Sequence, residues 1–133
     1  MRFLVLGLLA AAGLVGWIRH RYTVVTVRGD SMRPTFRPGE RLLTRRGTVH
    51  LGQYVVFVET PDALVRGPGS WIVKRVLAAP GDPVPAGLVT VTERRVPPGC
   101  LLVVGDNPEH SYDSRHYGYV TRDRVRGVVL RRL

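Results

Sequence analysis

The chain has 133 residues, a formal net charge of +10 and a single cysteine, Cys100. That length holds one small domain and excludes a large multidomain enzyme, and one cysteine excludes an internal disulfide or a cysteine-based metal site. The arginines that supply the charge are scattered through strands and turns without interleaved aromatics, which argues against nucleic acid as a partner and fits a surface beside anionic lipid headgroups.

The first element is Phe3 to Ile18, uncharged and apolar, bounded by Arg2 and by Arg19-His20-Arg21. It is slightly short of a full bilayer span, which needs roughly 17 to 25 residues, but flanking arginines that snorkel and the interfacial pair Trp17 and Tyr22 accommodate it. We therefore expect a membrane anchor over 1–21. The competing readings are a cleaved secretory signal, for which Ala10 and Ala12 supply a small-x-small pattern, and a buried core helix. Arginines on both flanks leave the orientation open.

Beyond the anchor, the sequence reads as short β-runs separated by Gly and Pro, without a helical apolar period. Strands are expected at Tyr22 to Val27, Arg41 to Thr44, Tyr54 to Glu59, Trp71 to Ala78, Leu88 to Thr92, Leu101 to Val104 and Val125 to Leu130. Turns are expected at Arg37 to Gly39, Arg66 to Ser70, Pro80 to Asp82, Pro97 to Gly99 and Gly105 to Pro108. The fold class is mainly β, a small folded sheet or partly open barrel over 22–133.

Two residues in this layout carry chemistry. Ser31 sits in the turn Gly29-Asp30-Ser31-Met32-Arg33-Pro34, where backbone N–H groups beside an exposed hydroxyl form the geometry of an oxyanion hole. A serine nucleophile needs a base, which is ordinarily a histidine, here His50, His110 or His116. The alternative is Lys74, the one lysine against nineteen arginines. An arginine stays protonated, whereas an ammonium buried among apolar groups loses its proton and serves as a base. Alternation along a strand puts Lys74 on one face with Ile72 and Val76, and Val73 and Arg75 on the other. His110 and His116 lack the spacing of a zinc helix, so neither metal nor cofactor is expected.

Gly29 to Phe36 (GDSMRPTF), Val73 to Asp82 (VKRVLAAPGD) and Gly105 to Val120 (GDNPEHSYDSRHYGYV) resemble, in order and spacing, the motif boxes of the type I signal peptidases, membrane-anchored serine proteases with a Ser-Lys dyad. The resemblance implies Ser31 as nucleophile, Lys74 as general base and Ser111 as the hydroxyl that orients the lysine amine. It implies that Arg75, Asp106, Asp113 and Arg115 form structural ion pairs holding the third box against the lysine strand. It places a pocket for small side chains at Val27, Met32, Phe36, Ile72 and Val73. The expected activity is removal of signal peptides or propeptides after small residues, at Ala-x-Ala-like sites. The expected partners are a preprotein or propeptide substrate and membrane lipid. The expected form is a monomer, single-pass in the plasma membrane with its catalytic domain outside the cytoplasm.

Departures from the family pattern accompany these matches. Gly29 stands where some members carry an oxyanion-hole hydroxyl, Leu51 to Phe57 lacks the usual Arg-Gly-Asp, and Pro83 to Cys100 leaves room for only a turn and a hairpin. Asn107-Pro108-Glu109 replaces the commoner Asn-Arg-Asp and points toward a dedicated maturation protease, of the kind that processes nickel superoxide dismutase precursors. A reading from a different class is a catalytically silent, membrane-tethered binding protein.

Overall fold

The computed structural model describes residues 1–59 and 71–133. Helix α1 runs over Arg2–Arg21, its apolar side chains exposed along its length, with a mean hydropathy of 1.7. Twenty residues at about 1.5 Å each give roughly 30 Å, the thickness of a bilayer hydrocarbon core. The helix is longer than the uncharged stretch because the flanking arginines continue it. Tyr22 then turns directly into extended geometry, with no linker between helix and sheet.

Seven strands follow: β1 Tyr22–Thr26, β2 Arg41–Arg45, β3 Tyr54–Val58, β4 Trp71–Ala78, β5 Cys100–Val104, β6 Val120–Thr121 and β7 Val125–Arg132. They form one curled sheet in the order β1-β2-β7-β3-β4-β5-β6, with every neighbouring pair antiparallel. The mainly β, partly open barrel expected from the strand spacing is the architecture found. Bulges at Leu43/Thr44, Val56/Phe57 and Val76/Ala78 increase the local bend and twist.

Strand β3 explains how a small sheet builds a core on two faces. Its residues alternate between clusters, Val55 and Phe57 packing with Val76, Leu101, Val103 and Val120, while Val56 packs with Val25, Met32, Leu42 and Val73. A strand buried on both faces reads as a continuous apolar run, which is why Val55 to Val58 shows no polar alternation. Strand β4 obeys the same rule, with Lys74 on the face of Ile72 and Val76.

Leu88 to Thr92 is not a strand. Pro83, Pro85 and a Gly87 with φ of 85° keep the segment in turns, and only the bridge Pro83–Arg95 remains of the expected hairpin. The segment lies over Ala78, Val96 and Leu102 as a cover, packing Leu88 and Val91 there. A one-turn helix, α2 at Ser114–Tyr117, was not anticipated; a capping box between Asp113 and His116 closes it locally. The turn expected at Arg66 to Ser70 lies outside the described residues.

Candidate active site

The Ser31 turn is formed where β1 ends and is anchored from two sides. From below, Met32 is 1% exposed and packs with Val25, Val27, Leu42 and Val73. From the third motif, the Asn107 N–H donates to the Ser31 carbonyl at 2.9 Å and Asn107 Nδ2 donates to the Asp30 carbonyl at 3.0 Å. Gly29 has φ of 71°, a conformation that favours glycine, which accounts for the missing hydroxyl-bearing side chain. Among the described residues the Ser31 N–H has no acceptor, so it is free to donate to an incoming oxygen.

Lys74 is 3% exposed at the middle of β4. Its Nζ donates to Ser111 Oγ at 3.0 Å, and the Ser111 hydroxyl in turn donates to Asp113 Oδ2 at 2.6 Å. Because that proton is committed to the carboxylate, Ser111 acts toward the amine only as an acceptor. One amine proton is thereby tied down, and the rest of Nζ is oriented by default. Burial pushes the Lys74 pKa down; the Asp113 charge opposes this and the Arg115 charge reinforces it.

Asp113 is fully buried and holds the relay in place. Burial alone raises a carboxyl pKa, but here the Arg115 side chain, the Gly105 N–H and the Ser111 hydroxyl outweigh it and hold Asp113 well below the usual carboxylate range. The donors stand at 2.6 Å for Arg115 Nη2 and 2.8 Å for the Gly105 N–H. Asp106 is a second node: it accepts from Arg75 Nε at 2.7 Å, Thr35 Oγ1 at 2.6 Å and Tyr54 Oη at 3.3 Å. It ties together β4, the segment after Ser31 and β3. Burial raises the pKa of Asp106 as well, and those three donors bring it below the ordinary value.

Sequence reasoning passed over Gly105, Thr35 and Tyr54 as site residues. A Cβ on Gly105 would stand 2.6 Å from the Ser31 carbonyl oxygen and collide with the Ser111 side chain. Only glycine lets the Ser31 turn and Ser111 approach the same point. The adjoining Asp-Asn turn signalled a loop, but its closeness to Ser31 is a long-range fact with no local signature.

Ser31 and Lys74 line adjoining clefts, each of about 370 Å³, that share Glu59 and Ile72. The Ser31 cleft is walled by Val27, Met32, Ile72 and Val73. The Lys74 cleft is walled by Phe57, Tyr112, Tyr117 and Arg124. Phe36 does not reach either wall: it is 7% exposed and packs edge-on against Tyr54 at 4.9 Å between ring centroids. The described hydrogen bonds include none between Lys74 and Ser31; the two are linked through Ser111 and Gly105. His50 and His110 are exposed; His116 accepts the Asp113 N–H within the capping box and lies 3.8 Å from Asp113 Oδ1, while the described hydrogen bonds of Lys74 and Ser111 involve no histidine.

A family model described as "Signal peptidase, peptidase S26" matches residues 1–92 and 85–133. The chain is 30% identical to signal peptidase I of Bacillus caldolyticus, over 77% of this chain and 74% of that protein. It is 31% identical to signal peptidase I V of Bacillus subtilis (strain 168), over 77% and 80%. It is also 34% identical to mitochondrial ATP-independent inner membrane protease subunit 1a of Arabidopsis thaliana, over 87% and 74%.

Proposed function

The chain belongs to the signal peptidase family, peptidase S26, and on that premise we propose that it is a membrane-anchored serine endopeptidase that removes signal peptides or propeptides through a Ser31–Lys74 dyad. The observation that carries this reading is the lysine amine, buried at 3% exposure and held by a serine hydroxyl that is itself committed to a buried carboxylate. Any buried lysine needs a hydrogen-bond partner, but burial that favours the neutral amine and a relay that aims it are what a base requires.

In the proposed reaction, Lys74 Nζ takes the Ser31 proton as Oγ attacks the scissile carbonyl. The Ser31 N–H stabilises the oxyanion, and Lys74 then protonates the leaving amine. Water activated by Lys74 releases the acyl group. The direct Ser31–Lys74 hydrogen bond forms when the substrate closes the site, since such bonds are often long before substrate arrives. Residues before the scissile bond occupy the cleft containing Ser31, whose apolar walls suit small side chains at Ala-x-Ala-like sites. Residues after it pass on the Lys74 side, where the leaving amine must be protonated.

The proposed organisation is an anchor over 1–21 and a catalytic domain over 22–133, acting as a monomer outside the cytoplasm of a single-pass plasma membrane protein. The test is cleavage of a preprotein with an Ala-x-Ala site by the purified full chain in detergent. Ser31→Ala is expected to lower kcat by at least about 10³-fold. Lys74→Ala is expected to do the same, and so is Lys74→Arg, because arginine cannot act as the base. Cleavage retained in any of the three sinks the dyad, and failure to cleave by every form including wild type favours a tethered binding protein.

A further inference from the structure

We propose that Arg46, Arg122 and Arg126 form a binding notch for the phosphate of an anionic phospholipid headgroup at the foot of α1. This lies outside the active site and rests on reading α1 as the membrane span. The three arginines line one cavity of about 140 Å³ with Gly47, Val125 and Gly127. At about 30 Å³ per water in the liquid, that is the volume of four or five waters, suited to a phosphate and its oxygens.

The notch is built by the fold. Arg122 is fixed by donating to the Gly47 carbonyl. Gly127 lets β7 close on β2, since a Cβ there would stand 3.0 Å from the Arg45 carbonyl oxygen. Among the described residues no carboxylate lines the cavity, and the described ion pairs involve other arginines, Arg33, Arg75, Arg115 and Arg132. Asp123, next in sequence to Arg122, forms none. Three cationic residues lining one small space repel each other, and an anion placed among them relieves that repulsion.

The position selects the anion. The Arg46 N–H donates to the carbonyl of Arg21, the last residue of α1, at 3.0 Å. A helix whose length matches the hydrocarbon core ends at the headgroup layer, so Arg46 stands at the depth of the lipid phosphates. Basic side chains close to that surface each strengthen attachment to anionic lipid.

The test uses the full chain in a nonionic detergent with dihexanoyl phosphatidylglycerol, and counts lipid retained on the intact protein by mass spectrometry. One retained lipid is expected for the wild type. Each of Arg46→Gln, Arg122→Gln and Arg126→Gln is expected to weaken retention by about fivefold, while Arg94→Gln, outside the notch, leaves it unchanged. Arg122→Gln alone carries the test if either of the other two fails to fold, because the Arg122 side chain is exposed. Retention unaffected by the notch variants, or lowered equally by Arg94→Gln, overturns the site. Displacement of the lipid by an equal concentration of inorganic phosphate would make it a free-phosphate site and overturn the lipid assignment.

Discussion

At the scale of single residues, Lys74 carries opposed demands. An ammonium at 3% exposure is costly, and burial lowers its pKa from 10.5 in the folded chain. The folded state therefore releases this proton more readily than the unfolded one. Stability attributable to position 74 rises with pH through the interval between the folded and unfolded values. Lys74→Met is accordingly expected to abolish cleavage and raise the melting temperature at neutral pH, measured by calorimetry on the same preparations. In the proposed dyad the neutral amine is the working form, so kcat/KM should rise with pH through the lowered pKa. Asp113→Asn removes the charge that holds this pKa up. Its acid limb should move to lower pH while kcat falls about tenfold or more, because Ser111 loses the charged acceptor that fixes its proton. A merely structural role for Asp113 would lower activity without moving the limb.

Elements converge on the site through a few long-range bonds, chief among them those to Asp106 from β3, β4 and the segment after Ser31. Its pKa is depressed on folding, so its contribution to stability is present above the unfolded value of 3.8 and is lost as pH falls through the folded one. Asp106→Asn should cost about 1–3 kcal/mol at neutral pH and flatten the acid limb of a melting-temperature profile. Gly105→Ala should cost about 1–3 kcal/mol through overpacking, and should impair cleavage even where the protein stays folded.

The strands and the lysine face were legible because they rest on local alternation: β1 to β5 and β7 lie within a residue or two of their expected places. The cover formed by Leu88 to Thr92 was not, because its apolar residues look like a strand while two prolines and Gly87 forbid a ladder. Phe36, expected to line the pocket, has its ring packed edge-on against Tyr54. Sequence shows that a residue is apolar beside the nucleophile, but not that Tyr54 will seat its ring inside the core. The roles of Gly105, Thr35 and Tyr54 depend on partners distant in sequence.

For the whole molecule, the proposed reading gives α1 the attachment and the sheet the chemistry. The helix buries nothing against the body, so a chain starting at Tyr22 should keep its β circular-dichroism spectrum and a melting temperature within a few degrees of the full chain's. A larger loss would show that the sheet depends on the helix for its fold. The same truncation should lower the apparent rate on membrane-held precursors far more than on a short soluble peptide, because tethering raises the effective concentration of enzyme and substrate.

The absence of a linker between Arg21 and Tyr22 reaches further than attachment. From the end of the helix to Ser31 the chain is too short to extend beyond roughly 35 Å even when fully stretched, and β1 spends part of that length inside the sheet. On the proposed reading the enzyme is thus a ruler standing on the bilayer: it measures height, and a peptide bond held farther out passes above its reach whatever its side chains.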